Sequence, residues 1–292
     1  MLLDIFAIIA PVFVCALIGY TWVKRGIAFE TAFVSTLVMN IGAPCLIFAT
    51  FMDIELERSA FLSMAGAAFI TMTIFGIVGF FILKMFSLDQ RAFLPSQIFP
   101  NVGNMGLPLC LLAFGDEGLA LGLTYFTVNI MFGFTVGIGI SSGSFSIKEL
   151  MRNPMFWTVI VTVALKFSGF SSPAWIYNTT DLIGGLTIPM MLIALGVSLG
   201  RFKITSLKRS VSLSVLRLGF GFLVGNLVAM AMGLEGAAKG ILIMQCSMPV
   251  AVFAYLFAMR YDRQPEEVAA TVVISTLMAF ALLPALLWYV LP

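Results

Sequence analysis

Long apolar runs are the feature that most constrains what this chain can fold into. Helices of about 20 apolar residues cross a bilayer, whereas the strands of outer-membrane barrels are shorter and alternate in polarity. Only 10% of the residues are charged and 61% are hydrophobic, against about 25% charged in soluble proteins. The sequence therefore predicts an all-α integral membrane protein with its apolar runs in the lipid bilayer. The charged clusters delimit ten spans, near 3–23, 28–51, 60–82, 92–114, 118–140, 154–171, 176–199, 210–232, 238–259 and 268–290.

Cationic residues favour one side of this predicted topology. Of the 16 Lys and Arg residues, 12 fall in alternate loops. Cytoplasmic loops carry the excess of Lys and Arg in membrane proteins, so both termini are predicted to face away from the cytoplasm. The net charge of +2 gives no indication of a nucleic-acid partner. The 12 residues are Lys24, Arg25, Lys84, Arg91, Lys148, Arg152, Arg201, Lys203, Lys208, Arg209, Arg260 and Arg263.

Matching interruptions in the two halves indicate an inverted repeat. Five spans per half is an odd number, so a duplicated unit enters the membrane upside down in its second copy. Pro44 in span two is matched by Pro189 in span seven, and "NMGLP" ending at Pro108 is matched by "QCSMP" ending at Pro249. The predicted repeats are residues 1–141 (helices 1–5) and 154–292 (helices 6–10). Transmembrane helices also carry Pro and Gly as simple kinks, and the second matched pair favours a functional break.

The stretch "FPNVGNMGLPL" in span four contains the first of these breaks. Pro100 and Pro108 lack a backbone donor, and Gly103 and Gly106 let the backbone leave helical geometry. Non-helical backbone at membrane depth is tolerated only inside protein or against a wet cavity. The freed N–H groups at the start of the second half-helix form an anion site. Span nine is predicted to repeat this break around 246–249 and to cross span four near the bilayer centre.

Amide side chains lie beside both predicted breaks. Asn104 and Gln245 each precede the second proline of their motif by four residues, and Asn101 follows Pro100. Neither break contains Lys or Arg, so the sequence favours modest, reversible binding of one carboxylate. Arg217 is the cation placed within a span. It either packs against neighbouring helices or snorkels to the cytoplasmic face, or it is a second contact for a substrate carboxylate.

Enzymatic and cofactor functions are not expected. "GISSG" and "GVSLG" match the G-x-S-x-G pattern of serine hydrolases, but the chain contains no histidine to act as the base. The four cysteines lie inside apolar runs and read as packing residues, so no metal or cofactor is predicted. None of the 14 acidic residues falls within either break, which disfavours a cation/proton antiporter.

The chain resembles the auxin efflux carrier family, which includes plant PIN-type carriers and bacterial malate and malonate permeases. "NVGNMGLPL" resembles the first crossover of that family and "QCSMPVAVFAYLFAMRYD" the second, and the resemblance covers essentially all 292 residues. Asn101 then stands at a substrate-contacting asparagine, and Asn129 of "TVNIM" at a polar pocket residue. Phe134 replaces the tyrosine that is common in plant members, so a small mono- or dicarboxylate is expected in place of an indole acid.

The resemblance implies an architecture like that of bile-acid symporters and NhaA-type antiporters, with ten helices, two inverted repeats and two broken crossover helices. It implies a scaffold of helices 1, 2, 6 and 7 with Pro44 and Pro189 at its hinges, and a transport domain of helices 3–5 and 8–10. Elevator-type transport, a homodimer and a bacterial inner membrane follow from the same resemblance. Sodium coupling and an uncoupled anion channel remain open alternatives. The predicted substrate-binding residues are Asn101, Gly103, Asn104, Gly106, Pro108, Asn129, Gln245, Met248 and Pro249.

Overall fold

The computed structural model describes residues 2–53, 57–143, 151, 154–202 and 206–291. This part of the chain is helical, with turns and one isolated antiparallel bridge between its helices. Three π-helical turns interrupt the α-helices, at Val38–Gly42, Val102–Gly106 and Gly133–Gly137. In chain order the α-helices are α1 (Leu2–Lys24), α2 (Thr31–Leu37), α3 (Ala43–Asp53), α4 (Arg58–Met85), α5 (Gln90–Ile98), α6 (Leu107–Phe132), α7 (Ile138–Ser142), α8 (Pro154–Phe167), α9 (Ala174–Gly185), α10 (Thr187–Arg201), α11 (Leu207–Ala231), α12 (Gly236–Cys246), α13 (Val252–Arg260) and α14 (Pro265–Val290).

Seven helical runs of the described chain are long and apolar enough to cross a membrane. Six of them correspond to predicted spans one, two, three, seven, eight and ten. The seventh, Val102–Ser142, contains the second part of span four and all of span five. Predicted span six is the 14-residue α8, and span nine is divided into α12 and α13. The protein is thus a multi-pass membrane protein, with seven crossing helices recognisable by length where the sequence predicts ten spans.

A glycine divides the longest run. Gly115 within α6 has φ 64° and ψ −153°, a backbone region that side chains with a Cβ rarely enter. Just beyond it, a Cβ at Gly118 would collide with the carbonyl oxygen of Cys110. The chain therefore leaves one helical segment and begins another between predicted spans four and five, although the segments are contiguous in helical assignment.

The helices pack in two groups. In one group α1 lies along α10, and α3 packs against α8 and α9. In the other, α4 packs against α5 and α6, and α11 packs against α12 and α14. Contact between α1 and α10 is close enough that a Cβ at Gly196 would collide with the carbonyl of Ala16, and one at Gly19 with that of Ile193. The first glycine of "GVSLG" therefore serves helix packing.

The two prolines matched in the first group lie beside helix irregularities. Pro44 lies in the first turn of α3, directly after a π-helical turn, and Pro189 lies in the first turn of α10, where α9 has just ended. The two irregularities face each other, since a Cβ at Gly42 would collide with the side chain of Thr187. Each proline thus marks a bend where α3 and the α9–α10 junction meet.

Side chains tie the loops that carry most cations to one end of the molecule. Lys148, Arg152 and Lys203 lie outside the described residues, and the others belong to loops that contact one another. The contacts are Arg201 Nη2 to Phe29 O at 2.6 Å, Arg209 Nη1 to Glu267 Oε2 at 2.6 Å, Arg263 Nε to Ser141 O at 3.4 Å and Gln264 Nε2 to Asp89 Oδ2 at 3.4 Å.

Candidate functional site

Two interrupted helices pair with each other through their backbones. α5 ends at Ile98 and α12 ends at Cys246, and the chain is extended after each end. The Asn101 N–H donates to the Pro249 carbonyl at 2.7 Å, and the Ala251 N–H donates to the Phe99 carbonyl at 3.0 Å. These two bonds form the antiparallel bridge between residues 100 and 250. Backbone groups that the helix breaks leave unpaired therefore satisfy each other inside the protein, as an apolar environment requires.

Proline fits this pairing because the bridge does not use its missing N–H. At position 100 the donors of the bridge come from Asn101 and Ala251, so Pro100 ends α5 without leaving a ladder bond unmade. The Val250 N–H points away from the bridge and donates to Ser275 Oγ at 3.1 Å. Every donor in the short paired segment thus has a defined place.

The helix ends correct the sequence-based register between the two breaks. Pro249 stands just before the start of α13, as Pro100 stands just before the π-helical turn that leads into α6. Pro249 therefore corresponds to Pro100, and the predicted match with Pro108 is wrong. Pro108 instead occupies the first turn of α6, where the missing N–H costs nothing. By the same register Gln245 corresponds to Gln97, on the last turn of α5, and not to Asn104.

A cavity of about 320 Å³ opens beside the paired segments. Its walls come from both helix groups: α2, the first π-helical turn and α10 on one side, and α6, α13 and the two π-helical turns that flank α6 on the other. Most of the wall is aliphatic, aromatic or methionine. The lining residues are Val34, Ser35, Val38, Met39, Pro100, Asn101, Gly103, Asn104, Phe126, Ile130, Gly133, Phe134, Met190, Met191, Ala194, Val252, Phe253, Leu256, Phe257 and Arg260.

Polar groups face this cavity where the second half of each interrupted helix begins. The first turns of the helical segments that start at Val102 and at Val252 both border it, and the first N–H groups of a helix have no acceptor within it. The amide of Asn101 is 4% exposed, and its Nδ2 has no hydrogen-bond partner among the described residues. An unpaired buried donor is costly, so this amide is suited to an acceptor that arrives with a ligand.

Three of the nine predicted binding residues line the cavity: Asn101, Gly103 and Asn104. The other six do not. Gly106 and Pro108 lie deeper, in the helix that the cavity borders. Met248 and Pro249 are buried, and their carbonyls accept bonds from Arg217 Nε and the Asn101 N–H.

Gln245 and Asn129 are both fully buried away from the cavity. Gln245 Nε2 lies 3.4 Å from Cys110 Sγ, and a Cβ at Gly106 would collide with Gln245 Oε1. Because Gln245 is on the last turn before a break, it faces the side opposite to the new helix start. The Asn129 amide has no partner for either atom within the described chain. The prediction that Gln245 contacts the substrate is therefore not supported by its position in this conformation.

Arg217 lies behind the paired segments and does not line the cavity. It is 0% exposed, and its three nitrogens face backbone carbonyls: Nη1 that of Gln97 at 2.6 Å, Nη2 that of Cys246, and Nε that of Met248 at 3.5 Å. Of the two sequence-based alternatives, these contacts fit a packing partner. A carboxylate ligand needs guanidinium donors that are open to the cavity.

Arg260 is a cavity-lining cation that the sequence analysis treats only as part of a cytoplasmic loop. α13 lines the cavity with positions 252, 253, 256, 257 and 260, which recur at helical spacing on one face. Arg260 is therefore on the same face as the helix start, about 12 Å farther along at 1.5 Å per residue. The helical spacing in "VFAYLFAMR" is the signal that identifies it.

Comparison with known proteins follows from this geometry. A family described as membrane transport protein matches residues 4–144 and again residues 140–289. The chain belongs to this membrane transport protein family. The resemblance to the auxin efflux carrier family is thereby confirmed, and the interrupted helices and their cavity are features of a transporter of this family.

Named relatives of the transporter come from archaea, bacteria and plants. It is 26% identical to an uncharacterized transporter of Methanocaldococcus jannaschii over 96% of both chains. It is 22% identical to a candidate malonate transporter of Rhizobium meliloti over 88% of this chain and 86% of that one. Against auxin efflux carrier component 3a of Oryza sativa subsp. japonica, identity is 24% over 49% of this chain and 24% of the plant protein.

Proposed function

We propose that this protein is a secondary transporter of a small organic anion, a mono- or dicarboxylate, which it binds where the two interrupted helices meet. The observation that carries the proposal is the cavity that contains two helix starts and the unpartnered amide of Asn101. Helix N-termini attract anions because their N–H groups and the helix dipole point at the ligand. In transporters with interrupted helices, such starts face the anionic group of the substrate.

Magnitudes favour modest affinity. Each helix start contributes about 0.3–2 kcal/mol to an anion, and each hydrogen bond to a charged group contributes about 1.5–3 kcal/mol. Two starts and the Asn101 amide together stabilise a bound carboxylate by several kcal/mol before the cost of ordering it, which places the dissociation constant in the micromolar to millimolar range. Such binding is reversible on the timescale that a carrier needs.

The cavity size favours a small substrate. Ligand sites span about 300–1,000 Å³, and this cavity of about 320 Å³ is at the lower end. A small dicarboxylate also agrees with the name of the Rhizobium meliloti relative. Phe134, which borders the cavity, offers no hydroxyl to a second polar group of the substrate.

We further propose that the two helix groups move relative to each other in elevator-type alternating access. In this proposal predicted helices 1, 2, 6 and 7 form the scaffold, and helices 3–5 and 8–10 carry the site across the membrane as inverted repeats with two crossover helices. The cavity lies between the groups, and each group contributes one wall. A homodimer joined through its scaffolds, in a bacterial inner membrane with both termini outside the cytoplasm, completes the proposal.

Thermal stability of the purified protein with and without carboxylates tests the proposed site. A ligand of the folded form raises the apparent melting temperature by mass action. We expect one class of small carboxylate to raise it, and Asn101→Ala to weaken the apparent affinity about 10- to 150-fold through the loss of one charge-assisted hydrogen bond.

Asn178→Ala is the matched control, since Asn178 is exposed on α9 and does not line the cavity. Its ligand response should equal that of the wild type. A response to carboxylates that Asn101→Ala and Asn178→Ala share equally would place the site elsewhere, and a flat response to every carboxylate would refute the anion proposal.

A further inference from the structure

Arg217 joins the C-terminal ends of both interrupted helices. Gln97, whose carbonyl accepts from Nη1, is in the last turn of α5, and Cys246, whose carbonyl accepts from Nη2, is the last residue of α12. Met248, in the paired segment, receives the third contact from Nε at 3.5 Å. One side chain of α11 thus bonds to backbone of both halves of the chain.

The charge at this point suits a cation. A helix C-terminus carries about half a negative charge through its unpaired carbonyls. Two such ends meet here, and the single positive charge of the guanidinium balances them. The ring of Phe75, whose centroid is 4.3 Å from the guanidinium carbon, adds a further favourable contact. Within the described residues the ion pair with measured geometry is Arg209–Glu267, so carbonyl groups and not a carboxylate partner hold Arg217.

The backbone of α11 is shaped to deliver this side chain. A Cβ at Gly221 would collide with the carbonyl oxygen of Cys246 and approach Arg217 Nη2 at 3.1 Å. Gly225, one turn on, packs equally closely on Cys246 and Ile243. Small residues on this face let α11 come close enough for the guanidinium to reach the carbonyls, which makes the arrangement part of the packing of the helix pair.

Half-helix C-terminal ends and unwound carbonyls are where ion-coupled transporters coordinate their Na⁺. We infer that Arg217 is a built-in cation that occupies this position, so that the carrier needs no Na⁺ to hold its two interrupted helices together. This inference rests on the proposed carrier function. Arg217 is a positioning residue: it acts on the substrate only through the paired segments. The chemistry of the rest of the described chain agrees, since it contains no group of three or more His, Cys, Asp or Glu side chains that could hold a metal ion.

The test measures the melting temperature of the purified protein in 150 mM NaCl and in 150 mM choline chloride (a concentration at which about 8 Å of Debye screening applies to both salts), without any carboxylate. The wild type should melt at the same temperature in both. Arg217→Met, which keeps the length but removes the charge, should melt at least about 5 °C lower in choline because buried carbonyls lose their donor. NaCl should then raise its melting temperature by about 3 °C or more, because Na⁺ enters the vacated carbonyl site.

Arg217→Lys is the matched control, since an ammonium retains the charge. It should remain insensitive to the choice of Na⁺ or choline even if it melts below the wild type. A folded Arg217→Met without a Na⁺-specific response would overturn the inference, since a purely structural arginine would only lower stability.

The wild-type measurement needs no variant and decides the matter if Arg217→Met does not fold. A Na⁺-specific rise in the wild type would show that a sodium site coexists with Arg217 and would refute the inference, whereas equal melting in both salts supports it. Because no carboxylate is present, the result is independent of the proposed substrate. A flat carboxylate panel beside the expected cation pattern would remove the anion proposal and leave the role of Arg217 in place.

Discussion

The contact between Gly106 and Gln245 gives the sharpest test of how the two interrupted helices pack. A Cβ at position 106 would collide with Gln245 Oε1 and lie 2.9 Å from its Cδ. The amide cannot swing away freely, because a Cβ built at Gly122, on its other side, would already lie 3.3 Å from Nε2. Gly106→Ala should therefore overpack the crossing and cost about 1–3 kcal/mol of folding free energy.

Shortening the glutamine should relieve this strain. Gln245→Ala removes an amide whose Oε1 has no partner within the described chain, and it opens the space that the new methyl group needs. In the double variant Gly106→Ala/Gln245→Ala, the two changes should be non-additive by at least about 1 kcal/mol, since contacting residues couple by about 0.5–3 kcal/mol.

Denaturant or thermal unfolding of the four proteins in the same detergent measures this coupling. Gly219→Ala is the matched control, because a Cβ there meets nothing within 4 Å. It should be neutral or slightly stabilising, by up to about 1 kcal/mol from helix propensity, and additive with Gln245→Ala. Additivity of Gly106→Ala and Gln245→Ala would refute the packing, and loss of carboxylate binding in Gln245→Ala with an intact fold would restore that residue to the substrate site.

Two further predictions concern the packing of α1 on α10 and the mouth of the cavity. Gly196→Ala should lower the melting temperature by roughly 2–10 °C in a thermal scan, because the methyl group meets the backbone of α1 and overpacking of this kind costs about 1–3 kcal/mol; a stability equal to that of the wild type would show that the helices separate easily. Arg260→Gln should weaken carboxylate binding about two- to fivefold at low salt, with the difference disappearing as the Debye length falls to about 3 Å near 1 M salt; a salt-independent loss would instead indicate direct contact with the substrate.

Local chemistry made the helices and the first break predictable. Long apolar runs between charged clusters correspond to the observed helices because a spanning helix satisfies its own backbone. Pro100 ends α5 because it has no N–H for the preceding turn. Asn101, Gly103 and Asn104 then border the cavity because the helix start that follows the break must face an open space.

Tertiary packing decides what the sequence could not predict. The partners of Arg217 are backbone carbonyls, 120 residues away in Gln97 and 29 residues away in Cys246, and a carbonyl leaves no trace in the sequence. Gln245 faces Cys110 because of the angle at which α12 ends, which is set by the bridge and not by local propensity. Counting residues between prolines matched Pro249 to the wrong partner, since Pro108 begins a helix where Pro100 ends one.

The bridge at residues 100 and 250 also sets an order of events during biosynthesis. When span four has entered the membrane, the ribosome has not yet made the segment that accepts from the Asn101 N–H and donates to the Phe99 carbonyl. Those two groups have no permanent partner until Pro249 and Ala251 arrive, and each unsatisfied group in hydrocarbon costs several kcal/mol. A nascent first half must therefore keep this segment near water or the insertion machinery, and a chain that stops before residue 250 leaves an open wound in the bilayer for quality-control proteases to recognise.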